Sequence, residues 1–272
     1  MSMSADINTS TSASNTSGSR LIPFAVNLWL VEGPVVSFYG FPYPTRMAVI
    51  SIPDSSMDTS TEVSKCSWIW SPISLDDELA SEVERTAGPV KHIVSPNCIH
   101  WLFMKEWQDR FPQAKMYASP CLQERECAAG LKFEPVESFD EPHPSYAAEI
   151  DQTVFDGGWP KEVVFFHKPS KTVIFTDLIQ RQPIESLTGI KGWIMKMDGV
   201  GGENGSTPRE WRLLFRLGRK RDKARQTLDH ILLDWKPEKL VIAHGQCEQS
   251  NAAAVVESCL HWIPPKHNEY RH

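Results

Sequence analysis

The sequence predicts an α/β chain, and three observations carry that prediction. Apolar, β-branched and aromatic runs follow one another at the start with no helical spacing between them. From residue 75 helical and extended patterns alternate, and two late buried runs end abruptly on Asp177 and His244. Successive strands without helices point to an antiparallel or mixed sheet. Alternation points to α/β winding, in which loops at the C-terminal ends of strands carry the chemistry.

Residues 2 to 19 are almost wholly Ser, Thr, Asn, Ala and Gly, too poor in apolar surface to offset the entropy of ordering. Residues 1–20 are therefore expected to be a disordered tail and 21–272 a single domain. Asn27–Val31 runs into the turn signal Glu32-Gly33-Pro34 and then Val35–Tyr39. Arg46–Ile52 continues this meander, residues 53–64 form a polar loop, and Ser67–Trp70 is a fourth strand. Leu75, Leu79, Val83 and Ala87 then fall at helical spacing, with acidic residues in the first turn and Gly88-Pro89 as a stop. Val90–Val94 is a strand leading into Ser95-Pro96-Asn97-Cys98-Ile99-His100, followed by a helix over Trp101–Phe111 and a strand at Lys115–Ala118.

Residues 120–160 are weakly patterned and read as a helix over Leu122–Ala129 with long loops. Gly199–Gly205 reads as a loop without a phosphate-binding pattern, and 208–235 as one long helix with Trp211, Leu214, Phe215, Leu228, Ile231 and Leu232 on its apolar face. The most informative stretch is Glu162–Ile179. Two buried runs, Val163–Phe166 and Thr172–Phe175, flank turn chemistry at 168–171, a hairpin whose second strand ends at Asp177. Lys239–Ala243 is a later run of the same kind that ends on His244-Gly245, with a helix expected in 246–262. A carboxylate or imidazole at the mouth of a buried strand needs a cation, a donor or a metal as partner, or else serves as a cap for the next element.

A formal charge of −6 with no basic stripe outside 216–225 argues against nucleic acid as a partner, and no run is long and apolar enough to suggest a membrane span. The six cysteines show no C-x-x-C pair, so they read as free thiols. With no secretory pattern at the N-terminus, a cytoplasmic location is expected.

The order of these elements resembles the metallo-β-lactamase fold over roughly residues 22–262. Pro96-Asn97 with His100 and Phe103, the run ending in Thr-Asp at 176–177, and Leu-Val-Ile-Ala-His-Gly at 240–245 resemble a domain-of-unknown-function family of that superfamily. The resemblance implies a four-layer αββα sandwich, with residues 22–70 in one sheet and the 163–176 hairpin in the other. The superfamily's first loop carries Thr-His-x-His-x-Asp-His; laid on this chain it places Ser95 at the Thr, Pro96 and Cys98 at the first two His, His100 at the Asp and Trp101 at the last His. The third His falls near Gly158-Trp159, where no histidine stands, so the first-metal site is lost.

What the resemblance leaves is His100, Asp177 and His244, all at second-metal positions. Two imidazoles and a carboxylate can hold one Zn²⁺ tetrahedrally with an open position, or Fe²⁺ in a facial arrangement. The three are therefore candidate ligands and catalytic residues, with Cys98, Trp101 and Trp159 as candidate pocket residues. His100 could instead cap the following helix, and His167, at the turn end of the hairpin, is expected to be structural. The resulting expectation is a small-molecule hydrolase, or a lyase or cyclase, with at most one metal ion and an apolar carbonyl- or ester-containing substrate. The alternatives are a metal-free relative that binds a metabolite through the Asp/His pair, and a non-catalytic interaction protein.

Overall fold

The structure is a computed structural model that describes residues 20–38, 41–54, 64–123, 130–135, 138–156, 161–183, 201, 205–218 and 220–265. The expected tail, Trp159, Cys127, most of the Leu122–Ala129 helix and most of the Gly199–Gly205 loop lie outside these residues. The chain divides into two compact units: residues to 138 together with 143–149, and residues 139–142 together with 150 onward.

The first unit holds a six-stranded sheet in sequence order: β1 (Ile22–Ala25), β2 (Leu28–Phe38), β3 (Phe41–Pro53), β4 (Lys65–Trp70), β5 (Val90–Ser95) and β6 (Lys115–Ala118). The first four pair antiparallel; β5 joins β4 and β6 joins β5 in parallel, as the change from meander to alternation predicts. The expected turn at Glu32-Gly33-Pro34 is instead a bulge within β2, where the register against β3 shifts between Glu32 and Val35. Proline has no ladder donor to lose there, and a Cβ at Gly33 would sit 2.3 Å from Thr45 Oγ1, so the bulge needs glycine for close approach.

Alternation along the strands gives the sheet two different faces. Val31, Met47, Val49, Ile69, Ile93 and Met116 pack with Leu79 and Val83 of α1 (Asp77–Ala87) and with Met104 and Trp107 of α2 (Met104–Arg110). Asp76 caps α1 by accepting from Leu79 N at 2.8 Å, and Trp107 Nε1 donates to Ile73 O at 2.7 Å. Helix α2 begins three residues later than its spacing suggests, because 100–103 form tight turns; a four-residue helix, α3 (Pro120–Gln123), follows β6.

The second unit holds a four-stranded sheet in the order β10 (Lys239–Ile242), β9 (Thr172–Phe175), β8 (Lys161–His167), β7 (Ile150–Asp156). The expected hairpin is β8 (Lys161–His167) and β9 (Thr172–Phe175), and β10 (Lys239–Ile242) lies parallel to β9. Strand β7 (Ile150–Asp156) was not legible: its Asp, Gln and Thr break the apolar run, yet it pairs with β8 along its full length. The single long helix expected over 208–235 is broken at Gly218 into α4 (Arg209–Leu217) and α5 (Arg221–Asp229), whose continuation over His230–Trp235 is wound as a π-helix. Helix α6 (Ala252–Cys259) is shorter than the 246–262 pattern suggested. Phe215 packs edge-on to Phe155, and Trp235 stacks on Phe166 at 5.2 Å, so the aromatic residues of these helices close the unit's core. No helix among the described residues is long and apolar enough to cross a membrane.

Candidate metal centre

Asp177 and His244 owe their adjacency to strand register. Parallel pairing sets Phe175 against Ile242, so the residue two places beyond each strand end occupies an equivalent position at the mouth of the sheet. His244 Nε2 lies 3.1 Å from Asp177 Oδ1, and both residues are buried. A carboxylate and an imidazole in this contact can share a proton, orient one another as a base, or present an oxygen and a nitrogen to one cation.

The loop that carries Asp177 is held from below by Glu162, which sequence reading missed. Its carboxylate, fully buried at the head of β8, accepts the backbone N–H of Thr176 (2.7 Å), Asp177 (2.8 Å) and Leu178 (2.9 Å). A signal was present: the hairpin pairs Phe165 with Ile174, and the same register carried to the strand ends sets Glu162 across from Asp177. Burial, and then the Asp177 carboxylate, raise the Glu162 pKa while the three amides pull it back, leaving it at about 8.

The loop that carries His244 is fixed just as tightly. Arg181 N donates to His244 O at 3.2 Å, and Gln246 N donates to Arg181 O at 3.0 Å. Between them Gly245 sits at φ +113, where a Cβ would lie 2.2 Å from Arg181 O and 2.4 Å from its carbonyl carbon. Gly245→Ala combines a disfavoured backbone conformation with overlap against main chain that cannot yield. It is expected to cost on the order of 3 kcal/mol, read as a lowered midpoint in urea.

In the first unit, His100 closes the loop after β5. Its ring Nδ1 lies 2.7 Å from Ser71 Oγ, its backbone N–H donates to Asn97 Oδ1 at 3.1 Å, and its carbonyl accepts from Ser95 Oγ at 2.7 Å. It does not cap α2, whose N-cap is Phe103. Anchoring one ring nitrogen fixes the tautomer and orientation of the other, the usual preparation of a ligating histidine. Cys98 is fully buried in the apolar cluster that packs beneath α1 and α2, and Trp101 is half-buried against the same cluster. His167 is wholly buried with Nδ1 2.7 Å from Ser170 Oγ, as a structural residue would be.

The Domain of unknown function (DUF4336) family matches residues 42–188. No curated protein matches the sequence. Among solved structures, a metallo-β-lactamase from Pontibacter korlensis superposes with a TM-score of 0.54 at 12% identity, covering 89% of this chain and 97% of that one. A metallo-β-lactamase from Hirschia baltica gives 0.53 at 11% identity, covering 90% and 98%. One from Erythrobacter litoralis gives 0.54 at 10%, covering 89% and 95%. At such identities the likeness establishes the fold: this is an α+β chain of the metallo-β-lactamase type, as the motif order implied.

Proposed function

This chain belongs to the Domain of unknown function (DUF4336) family, within the metallo-β-lactamase-fold superfamily, and on that premise we propose that it is a metal-dependent hydrolase-like enzyme with a reduced centre. At the positions that the resemblance implies for the first metal, Pro96 and Cys98 offer no imidazole and no histidine stands near Gly158-Trp159. We assign at most one ion per chain in a single-domain reading of residues 21–272, held by Asp177 and His244 with His100 as the third ligand that the motif order implies. The reaction is hydrolysis, or a lyase or cyclase step, on a small apolar metabolite bearing a carbonyl or ester. Such a substrate is the partner this reading assigns, and the cytoplasm is the compartment.

The observation that carries the proposal is the buried 3.1 Å contact of Asp177 with His244 at neighbouring strand mouths. Retaining a buried carboxylate and imidazole there costs stability unless they serve a ligand or a reaction. The donor set fits: oxygen and nitrogen donors suit Zn²⁺ or Fe²⁺, and each half of the set carries the outer hydrogen bonds that orient ligands, Glu162 beneath Asp177 and Ser71 on His100. A bound divalent ion supplies polarisation of a carbonyl oxygen and activation of water near neutral pH. The chain's own contribution is to hold the Asp177 carboxylate rigidly on its amide cradle and to keep His244 Nε2 facing it.

Chelator-stripped protein titrated calorimetrically with Zn²⁺ or Co²⁺ is expected to take up one ion per chain. Asp177→Ala, His244→Ala and His100→Ala are each expected to weaken binding by roughly a hundredfold or more. Two ions per chain, or an Asp177→Ala variant that binds as tightly as the parent, would overturn the reading. A second reading, a metal-free relative using Asp177 and His244 as an acid/base or binding pair, is favoured by their direct contact. It becomes the better one if the parent takes up no ion.

A further inference from the structure

We propose that the outward face of α4, with the basic run that follows it, is a docking surface for a membrane rich in anionic phospholipid. This surface shares no residue with the metal centre, and it bears on where the chain docks rather than on what it converts.

Charge is spread unevenly along the sequence. The chain carries 28 Lys and Arg against 34 Asp and Glu, yet residues 209–223 hold seven Lys and Arg against two acids, Glu210 and Asp222, leaving 21 against 32 in the remainder. Such asymmetry marks a segment suited to a partner of negative charge. Part of the basic run is already committed within the second unit. Lys220 Nζ donates to both oxygens of Asp156 at 2.7 and 2.8 Å, and Lys223 Nζ lies 4.0 Å from the same carboxylate. Arg216, near the end of α4, and Arg221, at the start of α5, are exposed.

Helix α4 packs through one face. Trp211 and Phe215, one turn apart, are buried, and Phe215 meets Phe155 and Trp262 edge-on at 5.8 and 5.1 Å. At about 100° per residue, the direction opposite these two rings is that of Leu213, with Leu217 on one side of it and Arg209 and Arg216 on the other. Leu213 and Leu217 are 54% and 71% exposed. A single exposed leucine is ordinary on a protein surface. Two at i and i+4 make a continuous stripe, and this one is centred on the outward face with arginine along its edge, where core packing does not call for leucine.

That combination selects the partner. A nucleic acid backbone is met by basic and polar groups and gives a leucine stripe nothing to bury in. Protein interfaces are anchored by aromatic side chains, with leucine under-represented, and the aromatic residues of α4 are turned inward. At a bilayer surface, leucine buries at the acyl boundary while arginine lays its aliphatic stem along apolar surface and keeps its charge among the phosphates. Arg216 and Arg221 supply the positive charge that an anionic leaflet attracts.

The test is co-sedimentation of the full chain with vesicles of equimolar phosphatidylcholine and phosphatidylserine, and with vesicles of phosphatidylcholine alone. The mixed vesicles are expected to bind the chain about tenfold more tightly or better, with binding weakened by added salt. Leu213→Ser combined with Leu217→Ser is expected to lower that binding by about tenfold or more, and Arg216→Glu combined with Arg221→Glu by a similar factor. All four side chains are exposed, so both variants are expected to keep the parent's urea midpoint. Equal binding to the two kinds of vesicle, binding to neither, or a leucine variant that binds as well as the parent would overturn the proposal. So would a parent that binds duplex DNA more tightly than the mixed vesicles, or one that forms a dimer which the leucine variant abolishes, since the face would then serve another partner.

Discussion

Glu162→Ala is expected to be among the most destabilising single substitutions in the chain, costing about 3 to 5 kcal/mol in urea unfolding. The reason is the number of groups that depend on one carboxylate. Thr176, Asp177 and Leu178 all donate their amides to it in a place with no solvent access, and removal strands all three donors at once. Each stranded amide costs roughly 1 to 3 kcal/mol, partly offset because burying the acid is itself unfavourable. The same substitution loosens the loop that presents Asp177, so metal affinity is expected to fall as well. Glu162→Gln keeps an acceptor oxygen but turns an NH₂ group toward backbone donors, and should fall between alanine and the parent. An alanine variant within about half a kcal/mol of the parent would show that the amides find other partners.

The second large effect is acid sensitivity from two buried histidines. Burial pushes the pKa of both His92 and His167 down to about 4, from an ordinary value of 6.5. His92 lies among Tyr117 and Tyr146, with Nδ1 3.3 Å from Tyr117 Oη, and the Lys115 and Lys91 cations and His143 lower its pKa further while Asp54 acts in the opposite direction. Among the described residues His167 Nε2 has no hydrogen-bond partner, so an added proton there would gain none from them. With folded values below unfolded ones, the unfolded chain binds more protons between pH 6.5 and 4. Stability is therefore complete above pH 6.5 and is lost as pH falls toward 4, by about 3 kcal/mol for each histidine.

Glu162 acts with the opposite sign. Its folded value is raised to about 8, so its proton uptake favours the folded state as pH falls from there toward 4.5. The clean measurement is thus a difference: urea stability of the parent minus that of His92→Phe, and separately of His167→Asn, between pH 7 and 4. Glu162 contributes equally to both members of each pair. The parent should lose about 3 kcal/mol more than either variant over this range. Parallel curves would mean that neither imidazole is held neutral.

The strand-only opening, the change to alternating elements at residue 75, the 163–175 hairpin and the two strand ends at Asp177 and His244 are all readable from the chain's residue pattern. These follow from periodicity and from turn chemistry, which act over neighbouring residues. The expectation that the first-metal donors are lost came instead from the resemblance, which sets Pro96 and Cys98 where imidazoles would stand. Strand β7 was hidden because Asp151, Gln152 and Thr153 dilute its pattern, and its pairing with β8 is a long-range choice. The break at Gly218 was missed because the apolar face continues across it in register. Only the tertiary structure set Phe175 against Ile242, which brings Asp177 within 3.1 Å of a residue 67 positions later, and only it folded the Glu162 carboxylate beneath three amides. Register between distant strands depends on burying both runs at once, and no local pattern encodes that condition.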